Sequence, residues 1–430
     1  MIDRHTQGRV NVITHVHTDA SNADASEMDR ITQAIHRIAG ADTLITWKEC
    51  FTPVERLLRL LRDGRTMRGP VHMCIVTDHR RTRSHRFPAG HLAAAAADQR
   101  LALGAEIRTR ARDVDGVYRK APEIIAYGGV QPVEGPFGPY YGLSSELLEE
   151  LWDTCMADDR RELCARRVHD FLLRHGIAHG LSHPFDGHEL SLEGTFRLIS
   201  EFTFVEVVNG GYFEPSTRVL DAYVRLHNAL VAGATLPDEV LTDTGRRLVR
   251  HIRARGRFLC PLSGSDAHIH DFDRVVLSFE LPPGKTSRTV RPGDLFATLL
   301  AEEHGGSPRV TLPQRLRAAG VHPLTAPARL ANLGTPATPA RQVSDIIFII
   351  FRNLWLNAAH FTPGLLAKTV VTTAQITTDE LTQRSAQRDK LARALREGFS
   401  PEALLPFLVY PEAQALRPVL RIVEPAASAS

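Results

Sequence analysis

Short apolar runs that end in histidine, aspartate or glutamate are the feature that most constrains this chain. Runs at residues 10–14, 71–77, 101–107, 123–127, 178–181, 204–208 and 259–262 have strand length, and several are rich in β-branched or aromatic residues. The first leads into His15-Val16-His17-Thr18-Asp19, and the second closes on Thr77-Asp78-His79. Glu106 comes soon after Leu103, His183 follows Gly180-Leu181-Ser182, and Asn209 follows Val207-Val208. Ser265-Asp266-Ala267-His268 follows the last run.

Between these runs lie stretches with apolar residues at helical spacing, at 53–62, 146–152, 160–175, 217–231 and 244–255. Repeated alternation of strand and helix predicts an α/β sheet or barrel with parallel strands. In such barrels the loops after the strands converge on one rim, where the chemistry sits. Six polar clusters brought to one rim would make a metal site. The segment 19–70 is long for one connection, and the Gly-, Pro- and Tyr-rich segment 128–142 reads as a loop over the mouth. Past about residue 311 the composition shifts towards Pro and Ala. Residues 326–341 read as a linker, 343–361 and 378–397 as helices, and 426–430 as a frayed tail.

His-x-His at a strand end turns both imidazoles to one side, because alternate residues share a face. Two neutral imidazoles on one side can grip a divalent ion. Asp266-Ala267-His268 repeats the spacing with one carboxylate, and Glu106 has two oxygens with which to bridge two ions. With His79 and His183 the candidate ligands are His15, His17, His79, Glu106, His183, Asp266 and His268. A mixed imidazole and carboxylate shell suits Zn, Mn or Fe better than Ca or Mg. Asp78 reads as a partner of a ligand rather than a ligand.

The bulk numbers are consistent with an ordinary globular protein. The chain has 430 residues, 43% hydrophobic and 23% charged, with a net charge of +3. That length admits two or three domains, or one barrel with an extension. So small a net charge does not itself indicate a nucleic-acid or membrane partner. Five cysteines, an odd number without a CxxC pair, argue against a disulfide framework or a zinc knuckle. The polar start, Met1 to Arg9, does not read as a signal segment, and the longest apolar run of the tail, 346–351, is far short of the ~20 residues that cross a bilayer. A reducing, cytoplasmic location is expected.

The motifs together resemble the PHP (polymerase and histidinol phosphatase) superfamily. The matching segments are Thr14-His15-Val16-His17-Thr18, Val76-Thr77-Asp78-His79, Gly104-Ala105-Glu106, Leu181-Ser182-His183-Pro184, Val205-Glu206-Val207-Val208-Asn209-Gly210 and Gly264-Ser265-Asp266-Ala267-His268, in the family's order. The resemblance implies a distorted (β/α)7 barrel over residues 1–310, followed by a mainly helical extension over 311–430. It implies two or three divalent ions (Mn, Fe or Zn) on the seven ligands above. It also implies metal-dependent hydrolysis of phosphate esters, a phosphatase or phosphodiesterase activity, by a metal-activated water.

Two segments depart from the family pattern. Ser21-Asn22-Ala23-Asp24 stands where a further ligand is usual, which makes Asn22 and Asp24 weaker candidates. Glu123 stands where many members have a histidine and can replace it as an oxygen ligand. Arg80, Arg81, Arg108 and Asn209 are candidates for holding substrate oxygens, and His270 or His179 for protonating the leaving group. A small phosphorylated metabolite or nucleotide is the favoured substrate. The alternatives are an exonuclease on short oligonucleotides, for which 7% aromatic content offers few stacking groups, and a non-catalytic metal-binding scaffold.

Overall fold

The computed structural model describes residues 8–23, 50–66, 69–80, 86–158, 162–185, 189–210, 214–231, 238–268, 275–305, 330–334 and 339–376, with residues 34, 37, 38, 48, 83, 233, 235, 236, 272, 378, 379 and 382 between and after them. The architecture is mixed α/β. The strands are β1 (Arg9–Val16), β2 (Arg65–Thr66), β3 (Gly69–Pro70), β4 (Met73–Val76), β5 (His79–Arg80), β6 (Leu101–Leu103), β7 (Ala105–Arg112), β8 (Tyr118–Gly129), β9 (Tyr141–Gly142), β10 (Leu163–Cys164), β11 (Ile177–Leu181), β12 (Phe204–Asn209), β13 (Cys260–Gly264), β14 (Val275–Glu280) and β15 (Leu330–Gly334). The longer helices are α1 (Val54–Asp63), α2 (Ala89–Ala97), α3 (Ser145–Thr154), α4 (Ala165–Arg174), α5 (Leu192–Ile199), α6 (Glu214–Val231), α7 (Asp243–Arg255), α8 (Pro292–Gly305) and α9 (Pro339–Leu356).

Helix starts follow local chemistry. The side chains of Ser144, Ser191 and Thr242 accept from the backbone N–H groups of Leu147, Gly194 and Gly245, satisfying donors that the first helical turn leaves open. Helices α1 and α7 stop at Gly64 and Gly256, both left-handed, a conformation that glycine adopts without the Cβ penalty.

One sheet runs β15-β14-β1-β4-β6-β9 and a second β10-β7-β8-β11-β12-β13, with β5 also paired to β7. Backbone bonds join the two. Just past β13, the N–H groups of Ser265 and Asp266 donate to the carbonyls of Thr14 and His15, and His17 N–H donates to Ala267. On the other side, Gly104 N–H donates to Val76 and Glu106 N–H to Asp78.

Two buried layers flank these strands. Val10, Val12, Met73, Ile75, Ala102, Ile125, Tyr127, Ala178, Phe204, Cys260 and Leu262 form one cluster, closed by Leu295, Phe296 and Leu299 of α8. Ile13, Val16, Cys74, Val76, Leu103, Ile107, Ile124, Leu181 and Val205 belong to the other, which packs on α1 to α7. Alternate residues of one strand therefore enter different layers, as a two-residue side-chain period requires.

Strand direction departs from the sequence expectation. β8 is antiparallel to both β7 and β11, and β14 is antiparallel to β1. The reason is local: β7 and β8 are joined without a helix, by a turn in which Gly116 takes φ +81° and donates to the Asp113 carbonyl. The segment 128–142 also sits differently from a loop over the mouth. Gly129 pairs with Ile177 at the start of β11, the end opposite the one leading to His183.

The expected boundary at residue 310 does not separate the sheet. β15 lies inside the stretch read as a linker, and it pairs antiparallel with β14 from Leu330 to Gly334. Asp24, Arg81 and His270, and most of the expected helix 378–397, lie outside the described residues. Among the described residues no helix is long and apolar enough to cross a membrane.

Candidate metal centre

A bulge in β1 decides which way the first two ligands point. Val12 pairs with Met73 and Ile13 with Cys74, but the next pair is Val16 with Val76, so β1 carries one residue more than β4. His15 takes φ 56° within the bulge. Val10 and Val12 face the inner layer, whereas Ile13 and Val16 face the helices. Unbroken alternation would send His15 and His17 outwards with Ile13. The extra residue reverses the alternation and turns both imidazoles inwards, a common use of bulges beside functional sites.

The two histidines then meet residues from four other chain segments. From His15 Nε2, His17 Nε2 is 3.2 Å away, Glu106 Oε1 3.3 Å and Asp266 Oδ1 3.5 Å. His17 Nε2 lies 3.2 Å from Asp266 Oδ1 and 3.4 Å from Glu106 Oε2. Glu106 also receives His79 Nε2 at 2.9 Å and His183 Nε2 at 2.8 Å. The His268 ring centroid is 4.6 Å from that of His17 and 5.9 Å from that of His79. All seven expected ligands are thus brought together. A tetrahedral shell with bonds of ~2.0–2.1 Å has edges of roughly 3.3–3.4 Å between ligand atoms. The separations around His15 and His17 match that spacing.

Outer partners fix the tautomers. His15 Nδ1 is 2.9 and 3.0 Å from the two oxygens of Glu206, so it donates to the carboxylate and leaves Nε2 as a lone pair facing the cluster. Ser21 Oγ gives its proton to Asp78 at 2.8 Å. Its oxygen therefore accepts from His17 Nδ1 at 3.3 Å and from the His79 backbone N–H at 3.1 Å. Asp78 accepts from the Thr18 N–H and hydroxyl as well, the partner role expected of it. With Nδ1 protonated on both rings, two Nε2 lone pairs and two carboxylates face one another. Acceptors so arranged call for a cation, or for protons in its place.

Electrostatics say the same. Burial opposes a charge on His15, but Glu206, Asp266 and Glu106 outweigh it and hold its pKa well above the usual range. Burial likewise works against His183, yet its bond to Glu106 raises it to about 10. Burial would raise Glu106 and Asp266, and the neighbouring histidines instead hold both well below ordinary carboxylates. His17 is shifted down by burial and by His268. These buried and half-buried groups could hold a metal ion in four overlapping sets: His17, His79 and His268; His15, His183 and Asp266; His15, His17 and Glu106; and His79, Glu106 and Glu123.

The weaker candidates separate. Glu123 reaches the cluster, with Oε2 3.8 Å from His183 Nε2. Asn22 lies in the 3₁₀ turn Asp19–Ala23 directly after His17. Asn209 turns its amide onto Glu206 at 2.8 Å and so steadies the partner of His15. Arg80 is fully buried, its guanidinium 4.4 Å from the Phe87 ring centroid. Arg108 pairs with Glu162 at 3.0 Å.

His179 does not join the cluster. It is buried among the outer-layer groups, 2.8 Å from His169 Nδ1 and 6.2 Å from the Phe202 centroid. Burial lowers its pKa to about 4. An imidazole on that side of β11, donating Nδ1–H to the Ile177 carbonyl, cannot protonate a leaving group at the cluster.

Sequence reasoning missed Glu206 and Ser21 as positioning groups. For Glu206 a signal existed: it is a lone carboxylate in the apolar run Phe204-Val205-Glu206-Val207-Val208. Gly264 makes its approach possible, because a Cβ there would fall on the Glu206 carboxylate and press against the His15 Cβ.

No protein-family model and no curated protein matches the chain. Among solved structures, PsfC from Pseudomonas syringae PB-5123 is similar at 14% identity, covering 81% of this chain and 99% of that one, with a TM-score of 0.32. A likeness that loose carries no argument about fold or function.

Proposed function

We propose that the protein is a metal-dependent phosphoesterase of the PHP type, acting on a small phosphorylated metabolite or nucleotide. The observation that carries this reading is the largely buried meeting of His15, His17, His79, Glu106, His183, Asp266 and His268, with the Nδ1 atoms of His15 and His17 already committed to Glu206 and Ser21. Motif order supports the family. Support for the barrel comes from the backbone bonds that tie β13 to β1 and β4–β5 to β6–β7, and from an inner layer drawn from β1, β4, β6, β8, β11, β12 and β13.

Bound divalent ions supply a water acidic enough to ionise near neutral pH and positive charge for a leaving oxygen. The chain's own part is to present ligands already oriented. Glu206 holds His15, Asp78 and Ser21 hold His17, and Ser182 Oγ donates to Glu106 Oε1 at 2.9 Å. With Oε1 beside His183 and Oε2 beside His79, Glu106 would serve as a carboxylate ligand to the ions that these histidines would hold. Manganese, iron and zinc all fit such a donor set.

The test is a screen with protein loaded with Mn²⁺, Fe²⁺ or Zn²⁺ against p-nitrophenyl phosphate, its bis-ester, mononucleotides and short single-stranded oligonucleotides. Release from the small esters supports the proposal. Hydrolysis confined to oligonucleotides would identify an exonuclease, and metal uptake without hydrolysis a binding scaffold.

A further inference from the structure

Helix α9 comes from the expected helical extension, and it is wired to the rim of the cluster. Asn353, in its last third, is fully buried. Its Oδ1 accepts the Lys48 backbone N–H at 2.7 Å, and its Nδ2 donates to the Lys48 carbonyl at 2.7 Å and to the Ile349 carbonyl at 2.9 Å. One side-chain amide thus engages both backbone groups of a single residue, as a neighbouring strand would. Five residues earlier on α9, Phe348 meets Phe51 edge to face with centroids 6.3 Å apart.

The chain beyond Lys48 borders the site on both sides. Phe51 N–H donates to the carbonyl of His268 at 3.0 Å, and the Thr52 carbonyl accepts from Asp19 N–H at 2.9 Å. Asp19 opens the turn that contains Ser21, the group that holds His17 Nδ1. Asn353 is therefore one short backbone segment away from His268 and from the orienting partner of His17. Along the same helix Phe351 and Trp355 are exposed and Phe348 is partly so, whereas Asn353 is fully buried against this segment.

We infer that Asn353 is a positioning residue: through Lys48 and residues 50–52, α9 braces His268 and the 19–23 turn and so sets the affinity of the ion held by His17, His79 and His268. This rests on the metal reading above. A cut at Asn353 leaves the amide partners at Lys48 unmatched and frees the segment against which His268 is held. Partners outside a ligand shell typically change metal affinity 10–100-fold, and one acting at this remove belongs at the lower end, about tenfold.

The experiment is Co²⁺ titration of the full-length chain, followed by visible absorption, together with amide hydrogen exchange. Asn353→Ala is expected to weaken one Co²⁺ step about tenfold, leave another unchanged, and speed exchange at 50–52 and 266–268. Asn353→Asp keeps the acceptor for Lys48 N–H and loses the donor, so it falls between the native protein and the Ala variant; it also decides the matter if the Ala variant does not fold. Thr369→Val, at a buried site in the helical segment 363–376, changes neither readout. Native Co²⁺ affinity in every step for folded Asn353→Ala and Asn353→Asp proteins would overturn the inference. If the unaltered chain takes up no Co²⁺, the metal reading fails and exchange judges the brace alone: unchanged rates at 50–52 and 266–268 in the variants would overturn it.

Discussion

The backbone N–H of Asp266 donates to the carbonyl of His15 at 2.6 Å, and these two residues, at φ 46° and 56°, are the positive-φ residues other than glycine among those described. Each contributes a side chain to the cluster of groups that could hold a metal ion. Holding a non-glycine residue in this region costs on the order of 1–3 kcal/mol. Here the cost falls at the junction of β1 with the end of β13, where it turns an imidazole and a carboxylate towards the same point.

A first prediction follows from that junction. Asp266→Asn keeps a side chain that tolerates left-handed backbone and removes the charge, so metal content should fall while chemical-denaturation stability of the metal-free protein stays close to that of Asp266→Ala or better. Asp266→Val should lose the metal and in addition unfold about 1–3 kcal/mol more easily than Asp266→Asn, because a β-branched residue resists φ 46°. Equal stability of the Asn and Val variants would mean that the strain is not real.

Glu206 should matter to metal binding without touching the metal. Glu206→Ala removes the acceptor of His15 Nδ1–H, and the expected loss of metal affinity is about 10–100-fold. Gly264→Ala should reproduce that loss by pushing the carboxylate away. Isothermal titration with Zn²⁺ or Mn²⁺ reads both; native affinity in Glu206→Ala would remove the carboxylate from the account.

The pH dependence of the metal-free protein has a defined sign. His183 has its pKa raised from 6.5 to about 10, burial being overridden by Glu106. Its contribution to stability is complete below pH 6.5 and disappears as the pH rises through about 10. Glu106 and Asp266 are shifted the other way, so their contribution is present above the ordinary carboxylate range and is lost in acid. Urea unfolding in chelator should therefore show stability falling from pH 7 to pH 10, a range set by the His183 shift. A cation replaces the proton on the imidazole, so the gain on adding metal should grow over the same range. A metal effect that shrinks with rising pH would contradict this.

Much of the site was legible because ligand chemistry confines residue types. Histidines and carboxylates at strand ends named seven of the groups that meet there, and no such rule names the residues that orient them. The bulge at His15 is an example. Strict alternation from Val12 puts His15 and His17 on the outer face, and an extra residue in a strand is set by pairing with β4 rather than by the β1 sequence alone. Direction was illegible for a related reason: β8 reverses because Asp113–Gly116 makes a tight turn, and strand propensity is blind to direction. β14, by contrast, is a plain strand run, Val275-Val276-Leu277-Ser278-Phe279, that carries no ligand at its end. β15 is short, and what makes it a strand is the open edge of β14 beside it.

Whether the strand-end cluster binds catalytic divalent ions is tested most directly by metal content together with p-nitrophenyl phosphate release for the native chain and for His15→Ala. The native protein should bind more than one equivalent of Mn, Fe or Zn and release phosphate, and His15→Ala should lose most of both while remaining folded. A His15→Ala protein with full metal content and full activity would contradict the account.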